Sequence, residues 1–497
     1  MAFSKNQLTG ENHLIPENLC DREAIDAFTE NNKNKPVVCV QGLGFVGAVM
    51  SLVCANARNE DYAVIGVDRA TEDAFWRIQS LNDGLFPLTA EDPKIKEFFE
   101  NSKTKENFHA TFDPYAYSLA DVIIVDINLD VAKTTGSKGK LEAYDVDLTG
   151  FKKAIETIGK NCKENVLVLV ETTVPPGTCL KVIKPILIEC LKERDLTTDK
   201  FKLAHSYERV MPGPNYIDSI QNFPRVYAGM DDKSANAAEQ FLHTIINTEE
   251  CSLTRLNSPN ATEMAKVLEN SYRAMNIAFA VEWSRFAEEA GVDLYAMVNA
   301  IRERPTHANL MFPGIGVGGY CLTKDPLLAS WSRQTLFGSD EPLTQSEMGV
   351  KINDEMPRFA FDFLKDQYEG DIKDAKVLLL GVSYRGEVGD TRSTPVDLFY
   401  ECIKETGAEI TLHDPYVTYW QEKDMTVSQD IKAALDTNPD IIAISTGHQL
   451  YKDPKTLDIL AQKKNVFIYD TIGILPAEDI VKLREDNKVK VLGRGDL

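Results

Sequence analysis

Val37-Val38-Cys39-Val40-Gln41-Gly42-Leu43-Gly44-Phe45-Val46-Gly47 decides how this chain folds. An apolar strand runs into G-x-G-x-x-G, and a small-residue apolar helix follows through Ala48 to Ala55. The first glycine allows a tight turn, the second close approach of backbone to a pyrophosphate, and the third close packing of helix on strand. The helix start then offers N–H groups and a partial positive charge to phosphate. Alone the motif is weak evidence, but here a second strand follows and ends in Val67-Asp68. Asp68 lies about twenty residues beyond Gly47, where a carboxylate binds the ribose hydroxyls of NAD. Arg69 beside it would suit NADP, yet the carboxylate repels a 2′-phosphate. NAD is therefore the expected cofactor, held by Gly42, Gly44, Phe45, Val46, Gly47, Asp68 and Arg69.

Outward from this motif, strand-like runs at 36–41, 62–68, 121–127, 165–171, 200–206 and 225–229 alternate with helical patterns. That rhythm predicts a doubly wound, mostly parallel α/β domain over 36–234. Residues 1–35 read as a loose or peripheral extension, and 131–147, rich in Lys, Thr and Gly, as a loop or insertion near the cofactor. Over 235–345 the pattern turns helical, with one uninterrupted helix from Asn260 to Gly291 expected to link two lobes and to form a dimer contact. Strand-like Lys376–Val382, Glu409–His413, Ile441–Ser445 and Val466–Asp470 then mark a second, smaller nucleotide-binding-type domain over 346–497. The expected fold is α/β, with two Rossmann-like domains joined by the long helix and a helical dimerisation region.

The bulk numbers narrow the class. A chain of 497 residues, 43% apolar and 26% charged, is an ordinary globular protein of two or three domains. Its net charge of −22 argues against nucleic acid or an anionic membrane as partner. No apolar run approaches a membrane span, and the first 35 residues hold no hydrophobic signal core. Nine cysteines without paired spacing fit a reducing cytoplasm, and no C-x-x-C or histidine cluster suggests a metal.

One cysteine stands apart. Gly316-Val317-Gly318-Gly319-Tyr320-Cys321-Leu322-Thr323-Lys324-Asp325 places a thiol on a glycine-rich turn, with a cation and a carboxylate shortly after it. That setting suits covalent catalysis better than packing. Further segments carry unusual chemistry: Glu171–Thr178, Ser206–Gly213, Gly381–Arg385 and Asp390–Ser393 follow strands, where ligands of a doubly wound sheet bind. Lys266 and Asn270, four apart, share a face of the long helix.

In this order and spacing these motifs resemble the UDP-glucose/GDP-mannose dehydrogenase family, over roughly residues 36 to 490. The resemblance implies an N-terminal NAD domain, a central dimerisation region, a C-terminal domain for the nucleotide of a nucleotide sugar, and a homodimer or higher homo-oligomer. It implies oxidation of the C6 alcohol to a carboxylate, consuming two NAD. Cys321 would be the nucleophile, forming a thiohemiacetal and then a thioester, with Lys266 and Asn270 stabilising the oxyanion. Asp325 would hold a water, Glu208 would serve hydrolysis, and Thr173 would position that water. Lys324, Arg385 and Arg392 would bind substrate or cofactor phosphates. Arg209, Gly318 and Tyr384 would line the substrate site, and Arg304 would reach it from a partner subunit.

Each assignment has a competing reading: Lys266 as a solvated helix lysine, Asn270 bonded to a neighbouring carbonyl, Glu208 and Arg209 as a surface ion pair, Thr172–Pro176 as only a turn, Arg392 as a cap on Asp390. Glu171 matches a variable family position, and His205 and His307 read as structural or peripheral. The chain departs from the family at Asp126-Ile127-Asn128, where a threonine hydroxyl near the cofactor is missing, and at Tyr384-Arg385, which replaces Phe-Lys. Gly-Val-Gly-Gly before Cys321 looks more like members acting on N-acetylated UDP-hexosamines, with UDP-glucose and GDP-mannose as alternatives. Two rival functions stand outside this reading: a one-hydride dehydrogenase and a non-catalytic NAD sensor.

Overall fold

The computed structural model describes residues 2–87, 92–136, 139–210 and 213–497. Met1 of the extension, Ser137 and Lys138 of the insertion, and Met211 and Pro212 of the Ser206–Gly213 segment lie outside the described residues. The chain groups into two compact units: residues 1–130, 146–267 and 331–340 form one, and 131–145, 268–330 and 341–497 the other.

In chain order, a hairpin of β1 (Phe3–Lys5) and β2 (Asn12–Leu14) and a helix, Arg22–Asn31, precede β3 (Val37–Gln41), β4 (Ala63–Val67), β5 (Phe108–Thr111) and β6 (Val122–Val125). A second hairpin, β7 (Ala132–Thr135) and β8 (Leu141–Asp145), is followed by β9 (Leu167–Val170), β10 (Lys202–His205), β11 (Arg225–Gly229) and β12 (Leu253–Arg255). The sheet of the first unit runs β12-β11-β10-β9-β6-β3-β4-β5, parallel except where β10 meets β11. From β5 to β10 this is the 3-2-1-4-5-6 order of the dinucleotide fold. Strands such as Ala63–Val67 and Leu167–Val170 are wholly buried, as apolar runs covered by helices on both faces must be. Gln41 pairs with Val67 and Val125, and Val170 with Val125 and His205. The strands therefore end level, and Gly42, Asp68, Asp126, Glu171 and Ser206 follow at one edge.

Two expectations are corrected. The extension is an ordered hairpin and helix, with Ser4, Asn6 and Ile25 buried. The 131–147 insertion is largely an antiparallel hairpin, β7–β8, and its strands group with the second unit. There Lys133 Nζ pairs with Asp354 at 2.7 Å, Tyr144 Oη donates to Glu347, and a Cβ on Gly139 would fall 2.5 Å from Leu398. Its strands are short and polar, so periodicity gave no sign of them.

The second unit holds β13 (Lys376–Leu380), β14 (Glu409–His413), the short pair β15 (Tyr419–Trp420) and β16 (Met425–Thr426), then β17 (Ile441–Ile444), β18 (Phe467–Asp470) and β19 (Lys488–Val491). Its five-stranded sheet, β14-β13-β17-β18-β19, is parallel throughout and takes the 2-1-3-4-5 order rather than that of the first sheet. The long helix runs Pro259–Ala290, from a proline at its first position to Gly291 at φ +69° just past its end.

Candidate active site

The glycine turn of the first unit fits a bound dinucleotide. Gly42 turns at φ +96°, and a Cβ there would lie 2.3 Å from the Asp126 carbonyl oxygen; at Gly47 it would lie 1.8 Å from that of Gly42. Gly44 is different, because nothing lies within 4 Å of where its Cβ would be. Its open face adjoins the first turn of the helix Phe45–Ala55, where the N–H groups of a helix start have no intrahelical acceptor and suit an anion. Asp68 Oδ2 accepts from Leu43 N at 3.0 Å, Oδ1 accepts from Arg69 N at 2.8 Å, and the Arg77 guanidinium lies 3.6 Å away. Burial raises the carboxyl above its usual range against these contacts. Arg69 turns instead to Asp73, at 2.6 Å in an exposed pair.

Lys266 of the long helix and Glu208, three residues past the end of β10, come together. Both are buried; Lys266 Nζ donates to the Glu208 carbonyl at 2.8 Å and stands 3.7 Å from its carboxylate, which also accepts from Val210 N. Lys266 is thus no solvated helix lysine, and Glu208 is no surface partner of Arg209. Arg209 instead donates to the Pro224 carbonyl at 2.6 Å and lies over the Tyr207 ring. His205 Nδ1 meets Thr262 Oγ1 at 2.8 Å, and burial pushes its pKa down to about 3, so it stays neutral. Thr173 is half-buried in the turn after β9, while Thr172 Oγ1 accepts from Ile127 N at 2.8 Å and donates to the Val125 carbonyl at 3.0 Å.

In the second unit, the cysteine turn leads into the helix Asp325–Thr335. Of the nine thiols only Cys20 and Cys321 are exposed. The Cys321 carbonyl accepts from Lys324 N at 3.2 Å and Asp325 N at 2.9 Å. Asp325 is wholly buried and takes Asn270 Nδ2 at 2.6 Å on one oxygen and Lys324 Nζ at 2.9 Å on the other. Asn270 therefore bonds a carboxylate rather than a carbonyl, and the Lys324 ammonium is committed to Asp325 and the Tyr320 ring. A Cβ on Gly318 would lie 2.5 Å from the Ser393 carbonyl, and one on Gly319, at φ +82°, 2.9 Å from the Tyr384 ring. Only glycine lets the loop after β13 pack this closely on the cysteine turn. Arg392 chelates Asp390 at 2.7–3.2 Å, as its competing reading expects, while Arg385 and Arg304 are exposed. His307 is exposed, with Nδ1 on Thr306.

The sequence reading missed the part played by three groups. Glu263 accepts from Gly177 N at 2.6 Å and Cys179 N at 2.7 Å, fixing the turn of Thr173 to the helix of Lys266; burial raises its pKa to about 7 against these bonds. Asn353 clamps Val317 by both backbone groups, at 2.6 and 2.9 Å. Asp126 is half-buried under the glycine turn, with Oδ2 out of solvent, and its carboxyl is pushed well up by burial and by Glu171 and Glu208. Glu171 is buried at 3.4 Å from Arg225, and burial lifts it to about 7 against that attraction. Among the described residues no cluster has a metal site's ligand set, and no helix is long and apolar enough to cross a membrane.

A dinucleotide cradle on one sheet and an exposed thiol four residues before the buried Asp325, itself paired with Lys324 and Asn270, define an NAD-dependent oxidoreductase. Residues 36–247 match the NAD binding domain, 260–354 the central domain and 378–477 the UDP binding domain of the UDP-glucose/GDP-mannose dehydrogenase family. The chain belongs to that family and is an NAD-dependent nucleotide-sugar 6-dehydrogenase. It is 30% identical over 461 residues to the UDP-N-acetyl-D-mannosamine dehydrogenase of Methanocaldococcus jannaschii, covering 92% of this chain and 96% of that one. The enzyme of that name from Pyrococcus horikoshii is 29% identical over 467 residues, covering 93% and 100%. A solved structure of the Pyrococcus horikoshii UDP-D-ManNAc dehydrogenase superposes with a TM-score of 0.77 at 26% identity, covering 93% of this chain and 100% of that one.

Proposed function

We propose that the chain oxidises the C6 hydroxyl of UDP-N-acetyl-D-mannosamine to the uronic acid through a thioester on Cys321, for polysaccharide biosynthesis. The observation that carries the chemistry is the exposed Cys321 thiol on a glycine turn that runs straight into the hydrogen-bonded Lys324–Asp325–Asn270 chain. Full-length similarity to enzymes named for that sugar supports the substrate, as does Val317 in the glycine turn. Two NAD, bound in turn, would each accept one of the two hydrides that leave C6.

The residues divide the remaining work. The alcohol loses a proton and a hydride to become the aldehyde, and the Cys321 thiolate adds to that carbon. Lys266 and Asn270 stabilise the resulting thiohemiacetal oxyanion, a role that suits a buried ammonium and an amide fixed in place. Loss of the second hydride leaves a thioester. Water held by Asp325, with Glu208 and Thr173, attacks it; the C–S bond breaks, and carboxylate and thiol are released with protons. Lys324 acts by fixing the Asp325 carboxylate in place through its 2.9 Å ion pair, and Arg385, the exposed cation after β13, takes the diphosphate with Tyr384. The domain roles follow: 36–234 for NAD, 235–345 for the cysteine turn and dimerisation, 346–497 for the nucleotide.

A second copy is the partner we propose for the long helix, where Leu268, Tyr272, Phe279, Trp283 and Phe286 form an exposed apolar stripe at helical spacing. Arg304 would then act across the dimer. Light scattering should give a dimer for the native chain and a monomer for Phe279→Glu; an unchanged mass would remove this face from the interface. A cytoplasmic location suits its thiols, none of which forms a disulfide.

Counting NADH per uronic acid tests the main reading. Two NADH with UDP-N-acetyl-D-mannosamine are expected, and acid formation by Cys321→Ser should fall by roughly three orders of magnitude while nucleotide-sugar binding persists. Full turnover by Cys321→Ser would sink the thioester. Turnover with UDP-glucose alone would overturn the sugar.

A further inference from the structure

The N-terminal hairpin has an inverted strand pattern. In β1 the serine points inward and is wholly buried, while its neighbour Phe3 is 50% exposed. Burying a hydroxyl instead of a phenyl ring is unfavourable unless the hydroxyl has partners. Ser4 Oγ has two: it accepts from Trp76 N at 3.0 Å and donates to the Glu72 carbonyl at 2.8 Å. Trp76 N is one of the first N–H groups of the helix Phe75–Asn82, whose own N-cap position is Ala74 and makes no side-chain cap bond. Phe75 N bonds the Thr71 carbonyl and Arg77 N that of Ala74, each at 3.0 Å, so an alanine at the N-cap leaves Trp76 N as the first-turn donor in need of a side chain. Ser4 supplies the missing cap from a segment 72 residues away. Asn6, also buried, adds a second tie, donating to Ser80 Oγ at 3.0 Å one turn further on.

This helix follows Asp68 and carries Arg77 in the same first turn. The Arg77 guanidinium lies 3.6 Å from Asp68 Oδ2 and 5.4 Å from the centre of the Trp76 ring. The far end of the helix is fixed independently, since Asn82 exchanges hydrogen bonds with the backbone of Ala110 in β5 at 2.7 and 2.9 Å. Only the Arg77 end depends on Ser4. The extension precedes the segment that matches the family's NAD binding domain, which begins at residue 36.

We propose that Ser4 and Asn6 are positioning residues of the NAD site: by capping the helix Phe75–Asn82 from outside, the hairpin holds Arg77 against Asp68 and so sets the carboxylate that receives the adenosine ribose. The inference rests on the reading of Asp68 as the ribose-binding acid. Loss of the cap frays the first turn and frees Arg77, a cation that a 2′-phosphate recruits readily.

Binding of NAD, NADP and the UDP-sugar to full-length Ser4→Ala and Asn6→Ala, beside Asp68→Ala, tests this by calorimetry, with thermal unfolding as a control. For Ser4→Ala the Kd of NAD should rise about three- to tenfold, the worth of a lost cap. The preference for NAD over NADP should narrow, with UDP-sugar affinity unchanged. Asn6→Ala should move the same quantities in the same direction by less. A lower unfolding temperature with unchanged cofactor preference would make the hairpin purely structural and overturn the inference, as would equal loss of NAD and UDP-sugar binding. If Asp68→Ala binds NAD normally, the ribose reading itself fails, a result separate from either of these.

Discussion

At the end of β3 the chain turns through Gly42 at φ +96°, and at the end of β13 through Gly381 at φ +99°. In both places the acid that closes the next strand reaches back to the turn: Asp68 accepts from Leu43 N at 3.0 Å, and Asp414 from Val382 N at 2.9 Å and Ser383 N at 3.1 Å. From there the two regions part. After Gly42 a helix begins at Phe45 and its N-terminus stands beside the open face of Gly44, whereas after Gly381 the next helix begins only at Val396. Asp68 keeps capacity for a further donor. Asp414 has none to spare, because it also takes Tyr416 N, Val417 N and His448 Nε2, the last at 3.1 Å. His448 Nδ1 accepts from Glu387 N, which leaves the ring proton on Nε2, facing Asp414. Burial opposes the Asp414 charge, but His448 and the N–H groups hold its pKa below the usual value. One strand–glycine–acid device thus serves twice, as an open cradle in the first sheet and as a saturated clasp in the second, where it delivers Tyr384 and Arg385.

The acids offer the sharpest way to break this comparison. Asp414→Ala strands four N–H groups and His448 in the interior, at a cost of about 3–5 kcal/mol. Asp68→Ala should cost only about 1 kcal/mol of stability yet weaken NAD at least about tenfold, the worth of a charge-assisted ribose contact. Denaturant unfolding and NAD titration of both variants give the contrast; equal losses of stability would mean the two acids are equivalent. The glycines give a smaller effect of the same kind. Gly47→Ala forces a methyl onto the Gly42 carbonyl and should cost roughly 1–3 kcal/mol. Gly44→Ala meets open space and should change stability by no more than about 0.5 kcal/mol, yet it should weaken NAD because the methyl occupies the pyrophosphate face. NAD binding that survives Gly44→Ala would take the phosphate away from that face.

What the sequence disclosed is what neighbours in sequence build. G-x-G-x-x-G, the helix carrying Lys266 and Asn270, and the cysteine turn are local patterns, and their strands and helix formed within a residue or two of expectation. Glu263, Asn353 and Ser4 were illegible because each side chain bonds a backbone group 86, 36 and 72 residues away, where no complementary residue type marks the partner. The order of the second sheet was likewise hidden, since strand patterns state existence and not neighbours. Lys324 and Arg392 were assigned to phosphates although a carboxylate lay one or two positions away, at Asp325 and Asp390; that proximity was the available signal.

Because the hairpin 131–145 and the segment 331–340 each group with the unit other than the one that flanks them, neither unit is a continuous stretch of chain. On the ribosome, an N-terminal domain usually closes as soon as its residues emerge. Here the last residues of the first unit are 331–340, by which point 131–145 and 268–330 of the second have also been synthesised. A truncated chain ending at the natural-looking boundary near residue 234 would leave the exit tunnel with its nucleotide motif intact and its contact set unfinished. A gene fragment cut there would encode the first unit without residues 235–267 and 331–340, which group with it.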